Sequence, residues 1–241
     1  MNAIETQNLT KRYKEKTAVN NLNLTVREGE LYGLLGVNGA GKSTTIKMLS
    51  TLTQPTSGDA QILGSSIISD AAKVKEIINV SPQETAVAAK LSVRENLEFI
   101  AKIYGSEKRT AKAKAQEMIE RFDMEDVAKQ KAGTLSGGWQ RRLSIAMALI
   151  SEPKVLFLDE PTLGLDVVAR RELWRVIEKL KGKVTIILTT HYLEEAEALC
   201  DRIGVMAKAK LKAEGTAAEL KALAGIDDFE EAFIRITEET K

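Results

Sequence analysis

Leu31-Tyr32-Gly33-Leu34-Leu35-Gly36-Val37-Asn38-Gly39-Ala40-Gly41-Lys42-Ser43 is an apolar run that stops at glycine and continues as a complete G-x-x-x-x-G-K-S. The Thr44-Thr45-Ile46-Lys47-Met48-Leu49-Ser50 that follows reads as a helix, so strand, glycine-rich loop and helix stand in the order the motif requires. Glycines let successive N–H groups turn inward around phosphate oxygens, and the helix starting near Gly41 adds its positive dipole end. Asn38, Gly39, Ala40, Gly41, Lys42, Ser43 and Thr44 are the expected phosphate contacts, with Lys42 reaching the β- and γ-phosphates of a nucleotide. Ser43 offers a hydroxyl to Mg²⁺, a cation that takes few protein ligands and several water or phosphate oxygens. Upstream, residues 22–35 alternate, turn at Glu28-Gly29 and become apolar, which predicts two strands joined as a hairpin.

Two more strands belong beside this one. Val155-Leu156-Phe157-Leu158 delivers Asp159 and Glu160 at its carboxyl end, where parallel sheets bind ligands. Asp159 is placed to hold the Mg²⁺ shell and Glu160 to accept a proton from an attacking water. Val184 to Thr190 ends in His191, the chain's one histidine, and a helix from Tyr192 follows. A lone histidine there caps a helix or contacts a γ-phosphate, and its place after a core strand favours the second role. Between the two strands, Leu135-Ser136-Gly137-Gly138-Trp139 opens an apolar pattern of helical spacing through Leu143, Ala146, Met147 and Ile150, with Ser136 as N-cap. Two glycines in a first turn cost about 1 kcal/mol each, so something approaches that backbone closely, and an anion fits.

Composition narrows the rest. The 241 residues are 44% hydrophobic and 29% charged with a net charge of +1, which excludes a disordered chain and any bulk electrostatic attraction to nucleic acid or anionic lipid. One cysteine, Cys200, forms no internal disulfide and one histidine builds no zinc site. No segment approaches the ~20 apolar residues that cross a bilayer, and no repeat or linker divides the chain, so one unit that neither spans a membrane nor is exported is expected. Ala115, Met118, Ile119 and Phe122 form one apolar stripe, and Phe229, Ala232, Phe233 and Ile236 another, after a capping box at Thr216-Ala217-Ala218-Glu219.

Taken in order, these motifs resemble the nucleotide-binding subunit of an ATP-binding cassette transporter over nearly the whole chain, with Leu135 to Trp139 as the most specific element. The resemblance implies an α/β fold: a RecA-like P-loop NTPase core with a mostly parallel sheet, an N-terminal antiparallel β subdomain and an inserted helical subdomain at about 84–150. The chain is then a single ATPase domain, 1–241, with a C-terminal helical tail at about 216–241. The same resemblance makes Tyr13 the adenine-stacking residue and Gln83 a member of the Mg²⁺ and water shell that senses a transmembrane partner. It places Asp166 in a dimer-contacting loop and makes His191 the switch histidine. It further implies ATP and Mg²⁺ as cofactors, and a head-to-tail cassette dimer in which Ser136, Gly137 and Gly138 complete the partner's site. The permease subunits would receive the cassette near Ala86 to Leu91, holding it peripherally on the inner face of the cell membrane. Trp139 stands where glutamine is usual, and Leu163 where small or polar residues are usual.

An energy-coupling ATPase for a separate permease, more an exporter than an importer, is the leading reading. A soluble cassette ATPase acting on ribosomes, DNA or a protein complex is the alternative; the chain has one cassette and no long heptad run. A kinase or GTPase on the same loop leaves Ser136 to Trp139 unexplained.

Overall fold

The computed structural model describes residues 1–238, so positions 239–241 of the expected tail lie outside the described residues. The chain opens with β1 (Asn2–Tyr13), β2 (Lys16–Leu22) and β3 (Thr25–Arg27), enters a second sheet at β4 (Leu31–Leu35), and returns through α1 (Lys42–Leu49) to β5 (Ser57–Ile62) and β6 (Ser65–Ser66). After α2 (Ala71–Ile77) and β7 (Ile78–Ser81) come α3 (Val93–Ile103), α4 (Lys108–Arg121) and α5 (Gly137–Leu149), the last two separated by 3-10 turns at Glu125–Val127 and Ala132–Thr134. Then follow β8 (Val155–Asp159), α6 (Val167–Glu178), β9 (Thr185–Thr190), α7 (Leu193–Leu199), β10 (Arg202–Ala207), β11 (Lys210–Gly215), α8 (Ala217–Ala224) and α9 (Phe229–Glu238).

Every residue of β4, β8 and β9 is buried, as strands covered on both faces must be. They form the centre of a six-stranded sheet, β11-β10-β4-β9-β8-β7, parallel except for β11. The other sheet, β2-β1-β5-β6 with β3 also on β1, is antiparallel throughout. The expected hairpin over 22–35 is therefore corrected: β3 pairs with β1, while β4 inserts between β10 and β9. A run as continuously apolar as Leu31–Leu35 needs neighbours on both edges and cover on both faces, which a hairpin arm lacks. The intervening turn, with Gly29 at φ +74°, carries the chain from one sheet to the other and is tied to β9 by the Gly29 N–H on Thr185 Oγ1 at 3.0 Å.

Three apolar clusters hold these layers. Ala115, Met118, Ile119 and Phe122 share a core with Leu97, Leu143 and Leu158, so the helices of 93–149 rest on the sheet through one face. Truncating a side chain such as Phe122 there costs about 3–5 kcal/mol. A second cluster joins the two sheets around Ile4, Tyr32 and Phe157. In the third, Phe229, Ala232, Phe233 and Ile236 pack on Leu35, Ile203 and Val205, and the capping box at Thr216 and Glu219 starts α8 as the sequence predicts. Among the described residues no helix is long and apolar enough to cross a membrane.

Candidate functional site

Parallel register assembles the site. Leu35 pairs with Thr190, Asp159 with Thr189 and Ser81 with Leu158, so the segments that leave β4, β8, β9 and β7 emerge along one edge of the sheet. They carry the phosphate loop, Glu160, His191 and Gln83; residues 38–44 of the loop and the start of α1 line one cleft of about 290 Å³ together with Glu160, His191, Gln83 and Leu163.

Within the loop, α1 begins at Lys42 on Gly41, whose φ of +113° no side chain tolerates; a Cβ there would also strike the carbonyl oxygen of Ala18. Lys42 Nζ donates to Gly36 O at 2.6 Å and lies 3.2 Å from Glu160 Oε1. On its other side Glu160 Oε2 receives His191 Nδ1 at 2.7 Å. Glu160 is thus the centre of a three-residue chain that links the phosphate loop, the end of β8 and the end of β9. Its backbone sits in the left-handed region at φ +48°, a conformation that costs a non-glycine residue of order 1 kcal/mol. Two hydrogen bonds from its N–H to Thr189, on O at 3.1 Å and on Oγ1 at 3.0 Å, hold it there.

Asp159 has a separate set of partners. Its Oδ1 accepts from Ser43 Oγ at 3.0 Å and from Thr189 Oγ1 at 2.5 Å. One carboxylate and one hydroxyl, both hard oxygen donors, beside a loop shaped for phosphate, fit Mg²⁺, which keeps most of its octahedron for water and phosphate. No cluster of three or more His, Cys, Asp or Glu side chains suited to a metal occurs among the described residues.

Ser136, Gly137 and Gly138 do not line this cleft. Ser136 occupies the N-cap position of α5 as expected, yet its hydroxyl makes no capping bond, which leaves both the hydroxyl and the first N–H groups of the helix available. Trp139 packs against the helical core, with the Arg142 guanidinium 4.5 Å above its ring. Asp166 caps α6 by accepting from the N–H groups of Val168 and Ala169, both at 2.9 Å, a role the loop assignment had not included. Tyr13 ends β1, exposed, with Lys11 Nζ 5.0 Å from its ring centre; the cleft is lined by Lys16 and Ala18 of β2 instead.

Lys16 and Ala18 were absent from the sequence expectations, Leu163 was noted there only as an unusual loop residue and not as part of the cleft, and Thr189, whose hydroxyl bonds both carboxylate-bearing positions, was given no role. Two threonines closing a buried strand just before His191 are a legible signal, since a buried hydroxyl needs a partner. Lys16 and Ala18 carry no motif and enter only because β2 folds past Gly41. Behind the cleft, Glu195 of α7 is fully buried, accepts from Trp174 Nε1 at 3.0 Å, and has its carboxyl pushed above the usual range by burial.

Residues 19–163 match the family model described as ABC transporter. The chain is 44% identical over 226 residues to the daunorubicin resistance ATP-binding protein DrrA3 of Streptomyces coeruleorubidus, spanning 93% of this chain and 72% of that one. It is 40% identical over 239 residues to the Escherichia coli (strain K12) protein named "Probable multidrug ABC transporter ATP-binding protein YbhF", covering 97% of this chain and 41% of that one. Among solved structures it resembles the dimeric ATP-binding cassette MJ0796 bound to ADP and Pi, with a TM-score of 0.78, 28% identity, and 88% and 98% of the two chains covered.

Proposed function

The chain belongs to the ABC transporter family and is an ATP-hydrolysing subunit, and from that premise we propose that it powers a separate membrane permease that exports its cargo. The observation that carries the catalytic reading is Glu160, held between Lys42 and His191 in the cleft beneath the phosphate loop. Glu160 orients the attacking water and takes its proton; Lys42 and His191 offset charge on the γ-phosphoryl oxygens. Ser43 and Asp159, with Gln83, would hold Mg²⁺, which when bound neutralises charge on the β- and γ-phosphates. Tyr13 would meet adenine at the open end beyond Lys16.

A head-to-tail pair of cassettes completes each site with the partner's Ser136, Gly137 and Gly138. The uncommitted hydroxyl and N–H groups of α5 support this, as does the dimeric relative with ADP and Pi. An exporter is favoured by drug resistance and multidrug transport in the names of the relatives. The permease would dock on α3, where Phe99, Ile103 and Tyr104 are exposed beside a groove formed by Pro82, Ala86 and Met147. Of the 86–91 stretch only Ala86 opens on that groove; Ala89 and Leu91 accept backbone bonds from Gly133 and Ala132.

The test is to purify tagged Glu160→Gln chain with MgATP from gently solubilised host membranes. Co-purification of a polytopic membrane protein supports the reading; recovery of ribosomes, nucleic acid or soluble proteins alone overturns it.

A further inference from the structure

Arg141 lies on α5, one turn beyond the Ser136-Gly137-Gly138 end of that helix, and is 4% exposed. Its guanidinium does not pair with a carboxylate. Nη1 donates to the carbonyl oxygen of Pro82 at 2.6 Å and Nη2 to that of Gln83, so one planar fork grips two successive peptide groups. Asp159 and Glu195 act on it only through their fields, and burial lowers its pKa from the usual arginine value. A second contact runs parallel to the first: Ser144 Oγ, three residues farther along α5, lies 3.2 Å from Ser81 Oγ at the end of β7. Gln83 itself is exposed and lines the cleft.

A buried charge that is satisfied by backbone carbonyls cannot be relocated cheaply, so wherever α5 goes the peptide groups of Pro82 and Gln83 are drawn with it. The amino end of that helix is the part offered to the partner's nucleotide, and Gln83 faces the nucleotide of its own chain. We propose that Arg141 is a positioning residue that fixes Gln83 to α5, so that seating α5 against a partner and presenting Gln83 to the cleft are one movement. The inference rests on the roles proposed above for Gln83 and for the amino end of α5, and adds a residue that touches neither nucleotide.

A double-mutant cycle separates positioning from a merely structural role. Steady-state ATP hydrolysis, ATP affinity and thermal midpoint would be measured for wild type, Gln83→Ala, Arg141→Met and the double variant. Each single change is expected to lower kcat by about ten-fold with ATP affinity within about two-fold of wild type, and the double variant to fall no more than about two-fold below Gln83→Ala. Arg141→Lys, which keeps the charge but not the fork, should retain an intermediate kcat and runs the same cycle should Arg141→Met not fold. Multiplicative losses in the double variant overturn the inference, because Arg141 then acts without Gln83. An unchanged kcat in Gln83→Ala alone overturns instead the role of Gln83 on which it stands.

Discussion

Lys42 Nζ and Glu160 Oε1 lie 3.2 Å apart, with side chains only 5% and 6% exposed, so the cation of the phosphate loop and the carboxylate opposite it are each other's counter-ion. Removing one partner of such a pair leaves the other charged and buried, at a cost on the order of 3 kcal/mol. Lys42→Ala is therefore expected to lower the stability of the protein by roughly that amount, read by urea denaturation without nucleotide. It should also weaken ATP binding by ten-fold or more, through the lost contact to the phosphates. Unaltered ATP affinity would count against the phosphate-loop reading.

Glu160→Gln acts on the same pair with the opposite balance. The amide oxygen still accepts from Lys42, and Lys42 keeps Gly36 O at 2.6 Å, so the loss of the counter-charge is partly offset and the change in stability should be smaller than that of Lys42→Ala. An amide takes no proton from water, and turnover is expected to fall at least ~10²-fold while ATP still binds. Substantial steady-state hydrolysis by this variant would refute the role assigned to Glu160.

Most of this site was legible because its residues are fixed locally by motif: Gly36 to Ser43 needs one loop geometry, and Asp159, Glu160 and His191 each follow a strand whose apolar run announces parallel burial. The hairpin expectation failed for the same reason that the strands succeeded. An alternating segment and a turn look alike whether the next strand pairs with its neighbour or crosses to another sheet, and only the tertiary cover of Leu31–Leu35 decides. Lys16, Ala18 and Arg141 were illegible, since each acquires its place from backbone brought in from a distant part of the chain. Pro82 and Gln83 are nearly sixty residues from Arg141.

The buried carboxyl of Glu195 gives the fold a pH dependence. Burial raises its folded-state pKa above the ordinary value, whereas the hydrogen bond from Trp174 Nε1 pulls the other way without reversing the shift. The sign follows from linkage: the folded state binds this proton more tightly than the unfolded one, so the contribution is fully present below the ordinary carboxylate pKa and is lost as pH rises through the raised one. Glu195→Gln preserves an acceptor for Trp174 and cannot ionise. Its thermal midpoint relative to wild type should rise between pH 5 and pH 8. A difference that stays constant with pH would show that Glu195 is not ionising in that range.

Ser136 and Asp166 both cap helices, yet only Asp166 uses its side chain, accepting at 2.9 Å from Val168 and from Ala169. Replacing a working cap with alanine costs about 1 kcal/mol. Asp166→Ala should show that loss by urea denaturation, and Ser136→Ala less than half of it. Turnover should respond to Ser136→Ala all the same, because the proposed task of its hydroxyl is the partner's γ-phosphate. A full stability loss in Ser136→Ala would mean that the hydroxyl caps α5 in solution.

The head-to-tail arrangement can be read by mixing two inactive chains. A Lys42→Ala chain lacks a working phosphate loop but keeps Ser136; a Ser136→Ala chain has the reverse defect. If each site takes its loop from one chain and Ser136 from the other, a mixed dimer contains one site with both defects and one with neither. Random pairing makes half of the dimers mixed and half of the sites in those intact, so an equimolar mixture should recover roughly a quarter of wild-type ATPase activity. Sites built within one chain would leave the mixture as inactive as its components. Recovery that rises with total protein concentration, at a fixed ratio of the two chains, would tie the activity to dimer formation.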